Sequence, residues 1–96
     1  MNEEVLLKLE KIIKKRRKNL DSNSYVVKLF AKGRIKIANK VGEEAVETIS
    51  AYLAEGGKNL KEESADLIFH LLIMLEEANI SIRDVLLVLK KRMKDD

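Results

Sequence analysis

Two short acidic spacings hold the residues with the clearest chemical potential in this chain. In Gly42-Glu43-Glu44-Ala45-Val46-Glu47, the carboxylates of Glu44 and Glu47 stand three apart. In Glu62-Glu63-Ser64-Ala65-Asp66, the same spacing joins Glu63 and Asp66. On a helix, residues three and four apart are surface neighbours, with about 5–6 Å between Cβ atoms. Two such helices packed antiparallel aim four carboxylates at one point. Hard divalent cations take oxygen ligands, and magnesium keeps several waters and substrate phosphates in its shell. Glu44, Glu47, Glu63 and Asp66 are therefore read as ligands of Mg²⁺ serving phosphate chemistry.

The second strip has an unusual setting. From Leu67 to Leu75 every residue except His70 is apolar, and a helix apolar nearly all round is buried on nearly all sides. Glu63, Asp66 and His70 share a strip about 60° wide at the helical period. Asp66 is thus expected at the mouth of a buried segment, where a carboxylate must be paired or metal-bound. His70 reads as a core histidine satisfied by one hydrogen bond and supporting the site from behind, with Asp66, one turn earlier, as its partner.

Five helices are predicted to position these groups. The first runs from Glu3 to about Lys18, burying Leu6, Leu9, Ile12 and Ile13 with Val5 at the edge. The run Lys14 to Lys18 closes it, complementing the helix dipole. After a loop at Asn19 to Ser24, Ser24 caps a short helix, Tyr25 to about Lys32, whose apolar members are Val26, Leu29 and Phe30. Gly33 ends it. The third helix is read as continuous from Arg34 to Glu55. Ile35, Ala38, Val41, Ala45, Ile49 and Tyr52, with Val46 and Leu53, keep one stripe in phase right through Gly42. Gly42 costs that helix about 1 kcal/mol relative to alanine, so a close approach of backbone or ligand is expected there. Lys36, Lys40, Glu43, Glu44 and Glu47 point away from the stripe. Taken alone, that face also fits solvated charge with a Lys40–Glu44 ion pair. Gly56-Gly57 ends the helix. The fourth spans Lys58 to Asn79. The fifth, Ile82 to Met93, opens with Ser81 and Asp84 in a capping box and buries Ile82, Val85, Leu86 and Leu89. The basic run Lys90 to Arg92 suits its C-terminus, and the tail Lys94 to Asp96 is expected to fray.

Composition narrows the class. The 96 residues are 46% hydrophobic, with no proline and four glycines, which suits one all-α domain spanning 1–96. Without cysteine, disulfides and thiolate metal sites are excluded. The N-terminus reads as an acidic helix rather than a signal peptide, and no apolar run approaches the ~20 residues that cross a bilayer. A cytoplasmic protein without membrane association is expected. The net charge of +3 does not call for nucleic acid but suits an anionic substrate. Three short amphipathic helices cannot cover a pair as apolar as the third and fourth, so a symmetric homodimer is expected.

The run Ser24-Tyr25, Lys28-Leu29-Phe30-Ala31-Lys32-Gly33, Lys40-Val41-Gly42-Glu43-Glu44-Ala45 and Glu47, followed by Glu63-Ser64-Ala65-Asp66-Leu67 and His70-Leu71-Leu72, resembles the phosphoribosyl-ATP pyrophosphatase family. That family sits within the all-α, MazG-like nucleotide pyrophosphatases, whose mark is Glu-x-x-Glu followed by Glu-x-x-Asp. The resemblance spans about Ser24 to Arg92, and Val26 stands where a threonine is expected. It implies a five-helix MazG-like bundle acting as a dimer in the stand-alone form rather than the bifunctional fusion. It implies Mg²⁺-dependent hydrolysis of the α–β phosphoanhydride of phosphoribosyl-ATP, yielding phosphoribosyl-AMP and pyrophosphate, the second step of histidine biosynthesis. Within that reaction Glu43 or Glu47 is the candidate general base. Lys28, Lys32, Lys36 and Lys40 are candidates for the remaining phosphate charge, with Lys40 best placed.

Three rival readings remain at this point. One is a pyrophosphatase of the same superfamily acting on free or non-canonical nucleoside triphosphates. The second is a helical module binding nucleic acid through Lys14 to Lys18 and Lys90 to Arg92, which predicts steep salt dependence. The third, a purely structural helical dimer, leaves the acidic strips and Gly42 without a role.

Overall fold

A computed structural model describes residues 2, 4–19 and 23–94, without the side chain of Glu55. The expected start of the first helix at Glu3, the middle of the loop at 20–22 and the fraying of 95–96 lie outside the described residues. The described chain is all-α: α1 Val5–Lys18, α2 Tyr25–Lys32, α3 Arg34–Ser50, α4 Gly57–Glu77 and α5 Ile82–Met93. Among the described residues no helix is long and apolar enough to cross a membrane.

The caps follow the predicted chemistry. Ser24 Oγ accepts from the Val27 amide at 3.1 Å and starts α2. Ser81 and Asp84 form the capping box of α5, satisfying amides that a helix start leaves unpaired. Gly33 carries φ +94° between α2 and α3, a left-handed conformation that glycine adopts without Cβ strain. α3 runs unbroken through Gly42, as its phase requires, and then widens into a π turn over Ala51–Glu55. The Gly56 amide closes that turn onto the Ala51 carbonyl, and Gly56 at φ +101° reverses the chain. α4 begins at Gly57, so the glycine pair closes one helix and opens the next. It ends at Glu77, short of the expected Asn79, because Asn79 is left-handed at φ 59° and the Ile80 amide bonds back to Leu75.

The core is built from one or two residues of each helix: Ile13, Val26, Leu29, Ile37, Leu72, Ile73 and Ile82. Each such side chain contributes roughly 1.5–3 kcal/mol by leaving water. Leu6, Leu7, Leu9, Phe30, Phe69 and Val85 pack around them. Several expected core positions lie outside this cluster. On α3, Ile37, Glu44 and Ala51 face inward, seven residues apart, while Ile35, Val46, Ile49, Tyr52 and Leu53 are exposed. The predicted stripe exists but points away from the core, because the inward line of this helix is Ile37, Glu44 and Ala51. Ile12 on α1, Ile68 on α4, and Leu86 and Leu89 on α5 are likewise exposed. The apolar segment of α4 is therefore covered on only part of its circumference.

One buried charge joins distant elements. Glu10 lies in the inward line of α1 with Leu6 and Ile13, and it is 8% exposed. Its carboxylate accepts from the Ser81 hydroxyl at 3.0 Å and the Ile82 amide at 2.6 Å. The first turn of α5 is thus held from outside as well as by its own capping box.

Candidate active site

The π turn and Gly56 fold α4 back along α3, and this hairpin brings the two acidic strips face to face. One carboxylate oxygen from each of Glu44, Glu63 and Asp66 lies within 4.8 Å of the others. Glu47, the fourth predicted ligand, stands at the solvent edge of the trio. Its carboxylate is close enough to those of Glu44 and Glu63 to share hydrogen bonds with both. Thr48 pins the two helices at this level, its hydroxyl reaching the Glu44 carbonyl at 2.7 Å and the Glu63 carbonyl at 3.1 Å.

The electrostatics reflect crowded negative charge. The Glu44 side chain is pushed up to about 7, first by its hydrogen bond to Glu47, then by burial and the Glu47 charge. The same bond, with a second from Glu63, lowers Glu47 from the ordinary carboxylate range. Glu44 Oε2 is buried and has no hydrogen-bond partner, an arrangement that costs free energy unless something positive supplies the missing contact. Lys40 offsets part of the charge, lying 3.3 Å from Glu43 and 3.8 Å from Glu44. Burial works against its ammonium, but the bond to Glu43 and the surrounding negative charge hold its pKa above the ordinary value. An all-oxygen donor set with an orphaned buried carboxylate oxygen fits a hard divalent cation.

Behind the acids, His70 is 6% exposed. Its Nδ1 lies 2.7 Å from the Asp66 backbone carbonyl. A carbonyl can only accept, so Nδ1 carries a proton, and in the neutral ring Nε2 is then the acceptor. The Tyr25 hydroxyl, 2.7 Å from Nε2, therefore donates to it. Burial raises the Tyr25 pKa, opposed by Lys40 and assisted by Glu44, so the hydroxyl stays protonated. His70 is buried behind the acids, and its partner on Asp66 is the backbone carbonyl rather than the carboxylate. Phe69 and His70 meet edge to face at 5.4 Å.

Two concavities flank this centre. One, about 500 Å³, is lined by Gly42, Glu43, Val46 and Glu47. Apart from its chain neighbours and the surrounding backbone of its own helix, no atom of the described residues lies within 4 Å of where a Gly42 Cβ would stand, so packing against the other helices does not explain that glycine. The other, about 340 Å³, lies between α2 and α3 and collects Lys28, Lys32, Lys36 and Lys40 with Tyr25 and Glu43. The predicted lysines thus share one groove next to the acids. Tyr25 and Thr48 were not singled out as site residues by sequence reasoning. The Ser24 cap places Tyr25 at the first turn of α2, but its link to His70 crosses 45 positions and leaves no local trace.

The basic run on α1 is partly neutralised. Lys14 and Arg17 pair with Glu76 at 3.0 and 3.6 Å, and the Arg17 guanidinium lies 4.5 Å from the centre of the Phe30 ring. These two cations dock α1 against α4 and α2, which argues against a free nucleic-acid footprint there.

The family model described as phosphoribosyl-ATP pyrophosphohydrolase matches residues 6–93. A protein of Pyrobaculum arsenaticum named phosphoribosyl-ATP pyrophosphatase is 48% identical over 94 residues, covering 98% of this chain and all of the relative. A protein of the same name from Zymomonas mobilis is 48% identical over 92 residues, covering 96% of this chain and 86% of the relative. The Thermotoga maritima histidine biosynthesis bifunctional protein is 43% identical over 88 residues, which span 92% of this chain and 45% of that protein.

Proposed function

The chain belongs to the phosphoribosyl-ATP pyrophosphohydrolase family, and from that premise we propose how its acids carry out the reaction. The chain is a hydrolase that cleaves phosphoribosyl-ATP to phosphoribosyl-AMP and pyrophosphate, a step of histidine biosynthesis. The proposal concerns the site: Glu44, Glu63 and Asp66 hold Mg²⁺, with Glu47 completing or bordering the ligand set. The observation that carries it is the convergence of three carboxylate oxygens within 4.8 Å around a buried Glu44 oxygen that lacks a partner.

When bound, the cation would neutralise charge building on the leaving pyrophosphate and polarise the attacked phosphoryl group. The remaining work falls to the chain. Glu47 is exposed on the open groove beside the acids, so it is the better placed base for the attacking water. Glu43 lines the same groove but is engaged by Lys40. Lys40, beside Glu44, is placed to meet phosphate oxygens next to the acids. Positioning and charge stabilisation supply most of the catalysis in phosphoryl transfer. His70 and Thr48 hold α4 in register, so the Asp66 and Glu63 backbones keep their places.

A homodimer is part of this reading. Its support is the exposed apolar face of α3, where Tyr52 is 71% and Leu53 74% exposed. Contiguous apolar patches of this kind mark interaction surfaces, and a self-complementary patch closes as a two-fold dimer. Val46 belongs both to this face and to the groove containing Gly42 and Glu47. A second copy seated on the face would wall the groove at Gly42, which gives that glycine its role.

The test is pyrophosphate release from phosphoribosyl-ATP with and without Mg²⁺, in the wild type and in Asp66→Asn. Turnover is expected only with the metal. In the variant it should fall by about 10³-fold or more, in line with losing a transition-state contact worth about 4 kcal/mol, while the helical circular-dichroism spectrum is retained. Normal turnover of Asp66→Asn at saturating Mg²⁺ refutes the assignment.

A further inference from the structure

Resting on that reading, we propose that the lysine-lined groove between α2 and α3 is the subsite for the phosphate-bearing ribose that distinguishes phosphoribosyl-ATP from ATP. Lys28 and Lys32 approach it from α2 and Lys36 and Lys40 from α3. Lys40 is engaged by Glu43 and Glu44. Among the described residues, Lys28, Lys32 and Lys36 have no carboxylate within ion-pair distance. Like charges four apart on a helix repel, so three unmatched ammonium groups around one concavity are unfavourable until an anion enters. A phosphate monoester, with up to two negative charges and three acceptor oxygens, matches them.

The groove begins beside the acids at Lys40 and Glu43 and extends along α3 to Lys36. Lys36 lies eight residues before Glu44 on α3, about 12 Å along the helix axis. That is longer than a triphosphate alone and comparable to a nucleoside with a sugar attached. The acids and Lys40 would take the anhydride at one end, and Lys28, Lys32 and Lys36 a second phosphate at the other.

Tyr25 supplies the sugar half of the pattern. With the His70 ring neutral, the Nδ1–Asp66 carbonyl bond leaves Nε2 as the acceptor of the Tyr25 hydroxyl proton. The Tyr25 oxygen therefore presents only acceptor capacity to the groove it lines. An acceptor suits a ribose hydroxyl, which donates, and not a fully ionised phosphate, which cannot. Cations beside a fixed acceptor are the donor–acceptor pattern complementary to a sugar phosphate. Tyr25 is held by edge-to-face contact with His70 at 5.5 Å, so the acceptor is preorganised before substrate arrives.

The experiment measures binding of phosphoribosyl-AMP and of AMP by calorimetry in EDTA, so that neither turnover nor metal enters the readout. The proteins are wild type, the double variant Lys28→Gln/Lys32→Gln, and Tyr25→Phe. The double variant should lose about tenfold or more in affinity for phosphoribosyl-AMP, the size of charge-assisted bonds to phosphate. Its AMP affinity should change less than about twofold, within the effect of distant surface charge. Tyr25→Phe should show the same selectivity at about fivefold, the scale of one hydrogen bond. In turnover, the double variant should raise KM for phosphoribosyl-ATP more than it lowers kcat, as lost ground-state binding does. Equal losses for both nucleotides, or no loss for phosphoribosyl-AMP, overturn the proposal. Failure of the wild type to release pyrophosphate refutes the proposed function instead, and the binding arms detect the two failures separately.

Discussion

At Glu44 a carboxylate with its neighbours' charge crowded against it keeps its proton up to about pH 7, against an ordinary value of 4.5. The folded chain therefore binds this proton more tightly than the unfolded chain. The contribution to stability is complete below about pH 4.5, declines as pH rises from there to about 7, and is gone above that. In the proposed site a divalent cation would compete for the same oxygen atoms and bind only the ionised form. We predict that Mg²⁺ raises the melting temperature little at pH 5 and distinctly more at pH 8, and that Glu44→Gln abolishes the difference. Thermal melts with and without Mg²⁺ at the two pH values are the measurement. An equal shift at both values would show that the cation binds elsewhere.

Among the elements, α5 depends on its neighbours more than its apolar residues suggest. Only Ile82 is fully buried, and Leu86 to Leu89 are exposed. What seats its first turn is Glu10, reaching across 72 positions to the Ile82 amide. Hydrogen bonds to a charged group are each worth about 1.5–3 kcal/mol. Glu10→Ala, which removes both bonds, should therefore destabilise the fold by about 3 kcal/mol or more in a denaturant titration while leaving kcat near its wild-type value, since Glu10 makes its contacts at the α1–α5 junction and not among the acids. A large loss of kcat with unchanged stability would contradict this division. α3 illustrates the opposite case. Its apolar stripe is real, but Ile37, Glu44 and Ala51 are the residues that face inward and Thr48 bonds to α4, so the stripe is left outside.

For the whole molecule, that exposed face has a direct consequence. Ile35, Val46, Ile49, Tyr52 and Leu53 would remain in water in a monomer, an arrangement that favours association. In the proposed dimer, replacing both Ile49 and Leu53 by aspartate should weaken association by about 100-fold or more through burial of unpaired charge and yield a monomer in sedimentation. Helical content should change little, because neither side chain contributes to the core of the single chain. A wild type that sediments as a monomer at all accessible concentrations would remove the dimer from the proposed function.

Local chemistry and period settled much of this protein from the sequence alone. Ser24 and Ser81 bind amides two or three residues away, Gly33 and Gly56 turn where only glycine is unstrained, and the phase of α3 carries it through Gly42. The acids at 44, 47, 63 and 66 were legible because three-residue spacing on a helix is itself a geometry. The tertiary structure decided which face of each helix is covered. An amphipathic pattern defines two faces without saying what meets them, so Ile12, Ile35, Leu86 and Leu89 lie outside while Glu10 and Glu44 lie inside. It also decided the contacts of Tyr25 with His70, Thr48 with Glu63, and Glu10 with Ile82. Those bonds join residues on different helices, and their distances follow from how the helices pack rather than from any spacing along the chain.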